Sequence, residues 1–176
     1  MEQTTSTIIT KELVGIMKLN IEIPCFKFDS IDLTSINICP FPIDQLNGFE
    51  YCHYANLENI VDNGELDHIS CKNVINFINY KELESTLIDW FKKLKHGGTM
   101  LLLFEDLIEL CRLVTVGKIK EEMAQELIYG KQFNDIIIKK SGTTIAEIKR
   151  IFVQNGMFIE TIKIESFYCC ITSRRI

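Results

Sequence analysis

The chain has 176 residues, 47% hydrophobic and 24% charged, a globular composition sized for one core that excludes a disordered or fibrous protein. A formal net charge of -5 and a pI near 5.3 argue against nucleic acid as a partner, because phosphate-backbone binding needs clustered Lys and Arg to release counterions. No apolar run approaches the roughly 20 residues that span a bilayer, and the start MEQTTSTIIT lacks the basic-then-apolar layout of a signal peptide, so a cytoplasmic location with no membrane partner is expected.

From the amino end, MKLNIEI (17–23) alternates apolar and polar residues, INICPFP (36–42) ends at two prolines, and FEYCHYA (49–55) is rich in aromatics; each fits a short strand. LDHISC (66–71) reads as a further strand. The clearest helix runs from Tyr80 to Lys95, with Tyr80, Leu83, Leu87, Trp90, Phe91 and Leu94 on one face. Asn79 caps its start, Lys92, Lys93 and Lys95 suit the negative end of its dipole, and Gly97 is placed as its left-handed stop. TMLLLF (99–104) is too short for a helix and typical of a parallel strand covered on both faces. Strand, helix and strand together make a crossover unit, and the fold class follows from it: α/β, with a mostly parallel sheet.

Residues 107–130 carry helical spacing on both sides of Gly117 and read as two helices over the sheet edge, an insertion at about 107–132 within a single domain spanning 1–176. Thr144 with Glu147 opens another helix that Asn155 and Gly156 close. MFIETIKIE (157–165) and SFYCCIT (166–172) fit a closing antiparallel pair, with the last four residues frayed. The seven cysteines are odd in number and contain no CxxC, so they are expected to be reduced, with Cys169 and Cys170 on opposite strand faces and no metal site. Paired basic residues, Lys139 and Lys140 among them, read as a solvated face.

KLNIEIP (18–24), IDWFKKLKHGG (88–98), LLLFEDL (101–107), IYGKQ (128–132) and KKSG (139–142) occur in the order of a known set of segments. In this the chain resembles the small type 11 class I S-adenosylmethionine-dependent methyltransferases, from residue 17 onward. The resemblance implies a Rossmann-like, three-layer sheet, mostly parallel with a C-terminal antiparallel hairpin. It also implies where a cofactor would lie, and those positions are degenerate here. The family's glycines after the first strand let the backbone approach the methionine end of the cofactor. Glu22, Ile23 and Pro24 stand there instead, a carboxylate, a bulky side chain and a residue without an N–H. The family's ribose-binding acid aligns with Cys39, with Asp29 and Asp32 displaced, and its adenine-binding Asp aligns with Tyr54. The substrate-facing stretch after the fourth strand reads CKNVINF, without acid or histidine.

Asn20 and Asp106 are candidate cleft residues. Asp106 follows a strand end, where ligands of α/β sheets bind, and a helix N-cap explains it equally well. His53, His68 and His96 are dispersed and read as surface or satisfied histidines. No catalytic residue is assigned. The resulting expectation is a methyltransferase-like protein that has lost S-adenosylmethionine, needs no cofactor and acts as a binding, regulatory or structural subunit. Two alternatives stay open: an active S-adenosylmethionine-dependent methyltransferase with a remodelled cofactor loop, and a different enzyme using the altered pocket. Its expected partner is a protein or a second copy, docking on the 107–132 helices through Leu110 and Leu113, since these helices carry more apolar side chains than one face normally buries.

Overall fold

Burial alternates with period two along residues 99–105 and 168–173 and with helical period along the helices that cover one side of the sheet. The computed structural model describes residues 16–23, 34–42, 48–130 and 138–176, so Pro24, Asp29, Asp32 and Gln132 lie outside the described residues. The elements are β1 (Lys18–Glu22), β2 (Ile36–Cys39), β3 (Glu50–Tyr51), β4 (Leu66–Lys72), α1 (Tyr80–Lys93), β5 (Leu94–Glu105), α2 (Leu107–Thr115), α3 (Glu121–Tyr129), α4 (Ile145–Gln154), β6 (Met157–Glu165) and β7 (Tyr168–Arg175). The seven strands form one sheet in the order β3-β2-β1-β4-β5-β7-β6. β1 to β5 pair in parallel, and β7 runs antiparallel between β5 and β6. The expected α/β architecture, with its closing hairpin, is present.

One face of the sheet carries the core. Leu19, Ile69 and Met100 stand in register across β1, β4 and β5, as do Ile21, Cys71 and Leu102, and all six are fully buried. They share a cluster with Leu83, Leu87, Trp90 and Phe91 of α1 and with Ile148, Ile151 and Phe152 of α4. Phe91 and Phe152 meet edge to face at 4.9 Å, an arrangement that adds about 0.5–1.5 kcal/mol beyond area burial. The predicted caps are made: Asn79 accepts from Lys81 N at 3.0 Å and Thr144 from Glu147 N at 3.2 Å.

Several boundaries differ from the sequence expectation. The 49–55 strand pairs only at Glu50–Tyr51, because a turn closed by Asn56 N to His53 O at 2.9 Å takes the chain out of the sheet. The helix ends at Lys93, not at Lys95: Leu94 is already extended and pairs with Leu66, so β5 starts there. Lys95 to Gly98 then bulge between the pairs Leu66–Leu94 and His68–Thr99, and Gly97 (φ +79°) serves this bulge. The terminal residues are strand, not frayed. Arg175 explains this, since its guanidinium donates to Phe91 O at 3.2 Å, Lys92 O at 3.1 Å and also Leu94 O. It thereby adds a charged donor to carbonyls at the end of α1 and the start of β5.

Leu110 and Leu113 are corrected as well. They are 2% and 6% exposed, packed with Ile119, Ala124 and Phe167 in a small cluster of their own. The turn at Gly117 (φ +71°) lets α2 and α3 bury these side chains against one another, which a single isolated helix could not do. Among the described residues of this region, Ile108, Val116, Met123, Ile128 and Tyr129 are the large hydrophobic side chains that stay exposed.

Candidate functional site

Ligands of open α/β sheets bind beyond the carboxyl ends of strands, where the strand order reverses. Here the reversal lies between β1 and β4. Glu22 ends β1 and faces Lys72 across the ladder; it is 4% exposed and accepts from Asn20 Nδ2 at 3.3 Å. Ile23 is fully buried. Asn73, the residue after β4, has the left-handed φ of 55° that Asn tolerates best after Gly, and its buried Oδ1 has no hydrogen-bond partner. Sequence reading passed over Asn73, because nothing in CKNVINF marks the turn.

Past β2, the Cys39 thiol is fully buried and donates to Phe41 O at 3.2 Å. Tyr54 lies beyond β3 and is 7% exposed. Its hydroxyl donates to Glu82 Oε2 at 2.7 Å, and its carbonyl accepts from Trp90 Nε1 at 2.9 Å. Burial, reinforced by Glu82, pushes the Tyr54 phenol up to about 12. Its ring packs on His53 at 4.1 Å and on Phe41 at 6.0 Å, and Phe41 touches Phe77. An aromatic group thus fills the edge beside β2 and β3.

Asp106 is engaged by backbone donors on both carboxylate oxygens. It is 3% exposed, and its two oxygens accept from Glu109 N at 2.7 Å and Ile145 N at 2.6 Å. Of the two readings open for it, the cap is realised, and one carboxylate serves the amino ends of both α2 and α4. Nearby, Lys139 corrects the expectation of a solvated pair. Its side chain is 9% exposed, ion-paired with Glu105, and donates to Leu127 O at 2.6 Å. Asn76 exchanges two hydrogen bonds with the Glu105 backbone, at 3.2 and 3.3 Å. A cavity of about 260 Å³ opens here between Asn76, Leu107, Tyr129 and Ser141. The 34-residue separation of Glu105 and Lys139 hid this pair from sequence reading.

A larger cavity of about 420 Å³ runs along the other face of β1 and β4, lined by Lys18, Asn20, Glu22, His68, Ser70 and Lys72 among others. His68 Nδ1 shares a hydrogen bond with Thr99 Oγ1 at 2.8 Å, and burial, then Lys18, hold the imidazole below its usual range.

These residues do not fit S-adenosylmethionine as the resemblance would place it. The methionine carboxylate would approach the Glu22 carboxylate. The ribose hydroxyls would find Cys39, a buried thiol already committed as a donor, in place of an acceptor. At the adenine end the Tyr54 hydroxyl is committed to Glu82.

No protein-family model matches the chain. No curated protein matches it either. Its similarity to solved structures lies in the fold. A protein from Pyrococcus horikoshii OT3 superposes with a TM-score of 0.59 at 11% identity, over 91% of this chain and 82% of that one. A S-adenosylmethionine-dependent methyltransferase from Archaeoglobus fulgidus gives 0.58 at 10% identity, over 91% and 86%. A chain from the complex between the Haloferax volcanii Trm112 methyltransferase activator and a methyltransferase gives 0.55 at 12%, over 91% and 82%. Of a longer neighbour from Synechocystis PCC 6803 the chain spans 51%. The fold is therefore that of the class I methyltransferases.

Proposed function

We propose that this methyltransferase-fold chain does not bind S-adenosylmethionine and acts as a non-catalytic binding, regulatory or structural subunit. The observation that carries the reading is that Ile23, Cys39 and Tyr54, the positions aligned with cofactor contacts, belong to the hydrophobic core. Their polar atoms are engaged internally, and opening the edge for a nucleoside would expose a packed aromatic group. Methyl transfer asks for positioning of a cofactor more than for a general base, so an edge that cannot hold the cofactor removes the activity.

The fold itself favours the alternative, an active methyltransferase whose loop after β1 has been remodelled. Isothermal titration with S-adenosylmethionine and S-adenosylhomocysteine separates the two. No saturable heat at micromolar concentrations is expected; saturable micromolar binding establishes the alternative. A protein partner or a second copy suits the subunit role, and the Haloferax volcanii neighbour, which sits in a complex with an activator, lends support to it. Exposed Ile108, Val116 and Met123 offer the apolar surface for such a contact, in place of Leu110 and Leu113.

A further inference from the structure

The register of β1 against β4 sets Lys18 opposite His68, Asn20 opposite Ser70 and Glu22 opposite Lys72. All six side chains are polar. Central strands of a parallel sheet ordinarily carry aliphatic side chains on both faces, and the reverse face of these same strands does so with Leu19, Ile21, Ile69 and Cys71. Polarity on this face is therefore not a property of the strands but of what they front. The cavity they line, about 420 Å³, falls within the range of small-molecule sites, about 300–1,000 Å³.

Asn20 gives the site its clearest demand. The residue is 9% exposed, and its Nδ2 donates to Asn37 Oδ1 at 3.2 Å and Glu22 Oε2 at 3.3 Å, which fixes the orientation of the amide. Its Oδ1 is buried without a donor. A carbonyl oxygen in that position is uncompensated until a hydroxyl or N–H reaches it. Lys18 and Lys72 stand four strand positions apart, about 13 Å at the usual rise, and bracket the Asn20–Ser70 pair. The ion pairs found among the described residues are made elsewhere, and neither of these lysines takes part in one. Among the described residues of the lining, two lysines stand against one glutamate, a balance that suits an anion. His68 has Nδ1 engaged by Thr99, which leaves Nε2 as its remaining hydrogen-bonding atom.

We propose that this face of β1 and β4 is a binding site for a small hydroxylated oxyanion, its charged group held by Lys18 and Lys72 and a hydroxyl donating to Asn20 Oδ1. The oxyanion is a phosphate ester or a carboxylate; both present oxygens to ammonium groups and both are carried by polyols. The site does not depend on whether the chain binds S-adenosylmethionine.

The test is isothermal titration of the full chain at low salt with ribose 5-phosphate and with gluconate, each against ribose and inorganic phosphate alone. Binding of ribose 5-phosphate or gluconate at submillimolar concentration, tighter than ribose or inorganic phosphate alone by about ten-fold or more, is expected, since the lysines and Asn20 act on different parts of one molecule. Lys18→Ala and Lys72→Ala, both at half-buried positions and checked for folding by circular dichroism, are each expected to weaken it about ten-fold. Asn20→Leu is expected to abolish the advantage over inorganic phosphate while circular dichroism confirms folding. Absence of binding by both polyol anions, binding no tighter than phosphate alone, or binding indifferent to both lysine variants overturns the proposal. S-adenosylmethionine titrated in parallel reports separately on the subunit reading.

Discussion

Tyr54 illustrates how a position that aligns with a ligand contact becomes structure. Its ring lies among Phe41 and His53, its carbonyl holds the Trp90 indole, and its hydroxyl reaches Glu82 of α1. Removing the hydroxyl in Tyr54→Phe keeps the packing and loses one hydrogen bond to a carboxylate, so a cost of about 1–2 kcal/mol in urea denaturation at neutral pH is expected. The pH dependence has a definite sign. An unfolded tyrosine ionises near 10, whereas burial and Glu82 raise the folded group to about 12. The stability linked to this group is thus fully present below about pH 10 and declines as pH rises through about 12. Wild type should lose stability over that window more steeply than Tyr54→Phe. Equal slopes for the two proteins would show that Tyr54 is not the group responsible.

At the scale of elements, the junction between α1 and β5 is the informative one. A helix end, a bulge and a central strand follow each other without a loop, and the two glycines there have different duties. A Cβ on Gly98 would lie 2.9 Å from Lys95 O and 3.1 Å from Leu66 O, both backbone atoms and not the ends of flexible side chains. A Cβ on Gly97 would meet nothing within 4 Å, and only its φ of +79° disfavours a side chain. Gly98→Ala is therefore expected to cost about 2–3 kcal/mol by overpacking, and Gly97→Ala about 1 kcal/mol by backbone strain. Thermal denaturation of the two variants checks the order; a Gly97 variant less stable than the Gly98 variant would contradict the bulge geometry. Arg175 closes the same junction from the other side by donating to the last carbonyls of α1.

Across the whole molecule, the sheet has two unlike sides and a satellite. The apolar side is shared by α1 and α4, the other side carries a polar stripe on β1 and β4 along a cavity, and α2 with α3 buries its own small cluster. Because Leu110 is 2% exposed in that satellite, Leu110→Ala should lose about 2–4 kcal/mol of stability through a cavity. Ile108→Ala, at a residue 64% exposed, should change it by no more than about 0.5 kcal/mol. Denaturant titration reads both. Light scattering should find the Leu110→Ala protein, while folded, in the same association state as wild type, since its side chain faces inward; dissociation of an oligomer by this variant would restore Leu110 to an interface.

The sequence by itself determined the architecture. Helical and alternating periods, the Asn79 and Thr144 caps and the apolar run at 99–104 are local signals, read within a turn or a strand, and they sufficed for α/β elements in order and for the closing hairpin. Set against the methyltransferase resemblance, it also marked Glu22, Ile23, Cys39 and Tyr54 as unlike that family's cofactor contacts, because residue chemistry is legible without coordinates. Only the tertiary structure decided what those residues do instead, since Tyr54 meets Glu82 and Trp90 across 28 and 36 residues. The same limit hid the Glu105–Lys139 pair, the double cap of Asp106 and the mutual burial of Leu110 with Phe167. The polar stripe of β1 was visible as alternation. That it lies against an equally polar stripe of β4, with Asn20 Oδ1 left unpaired between them, is a matter of strand register, which pairing across 50 residues sets and no local pattern records.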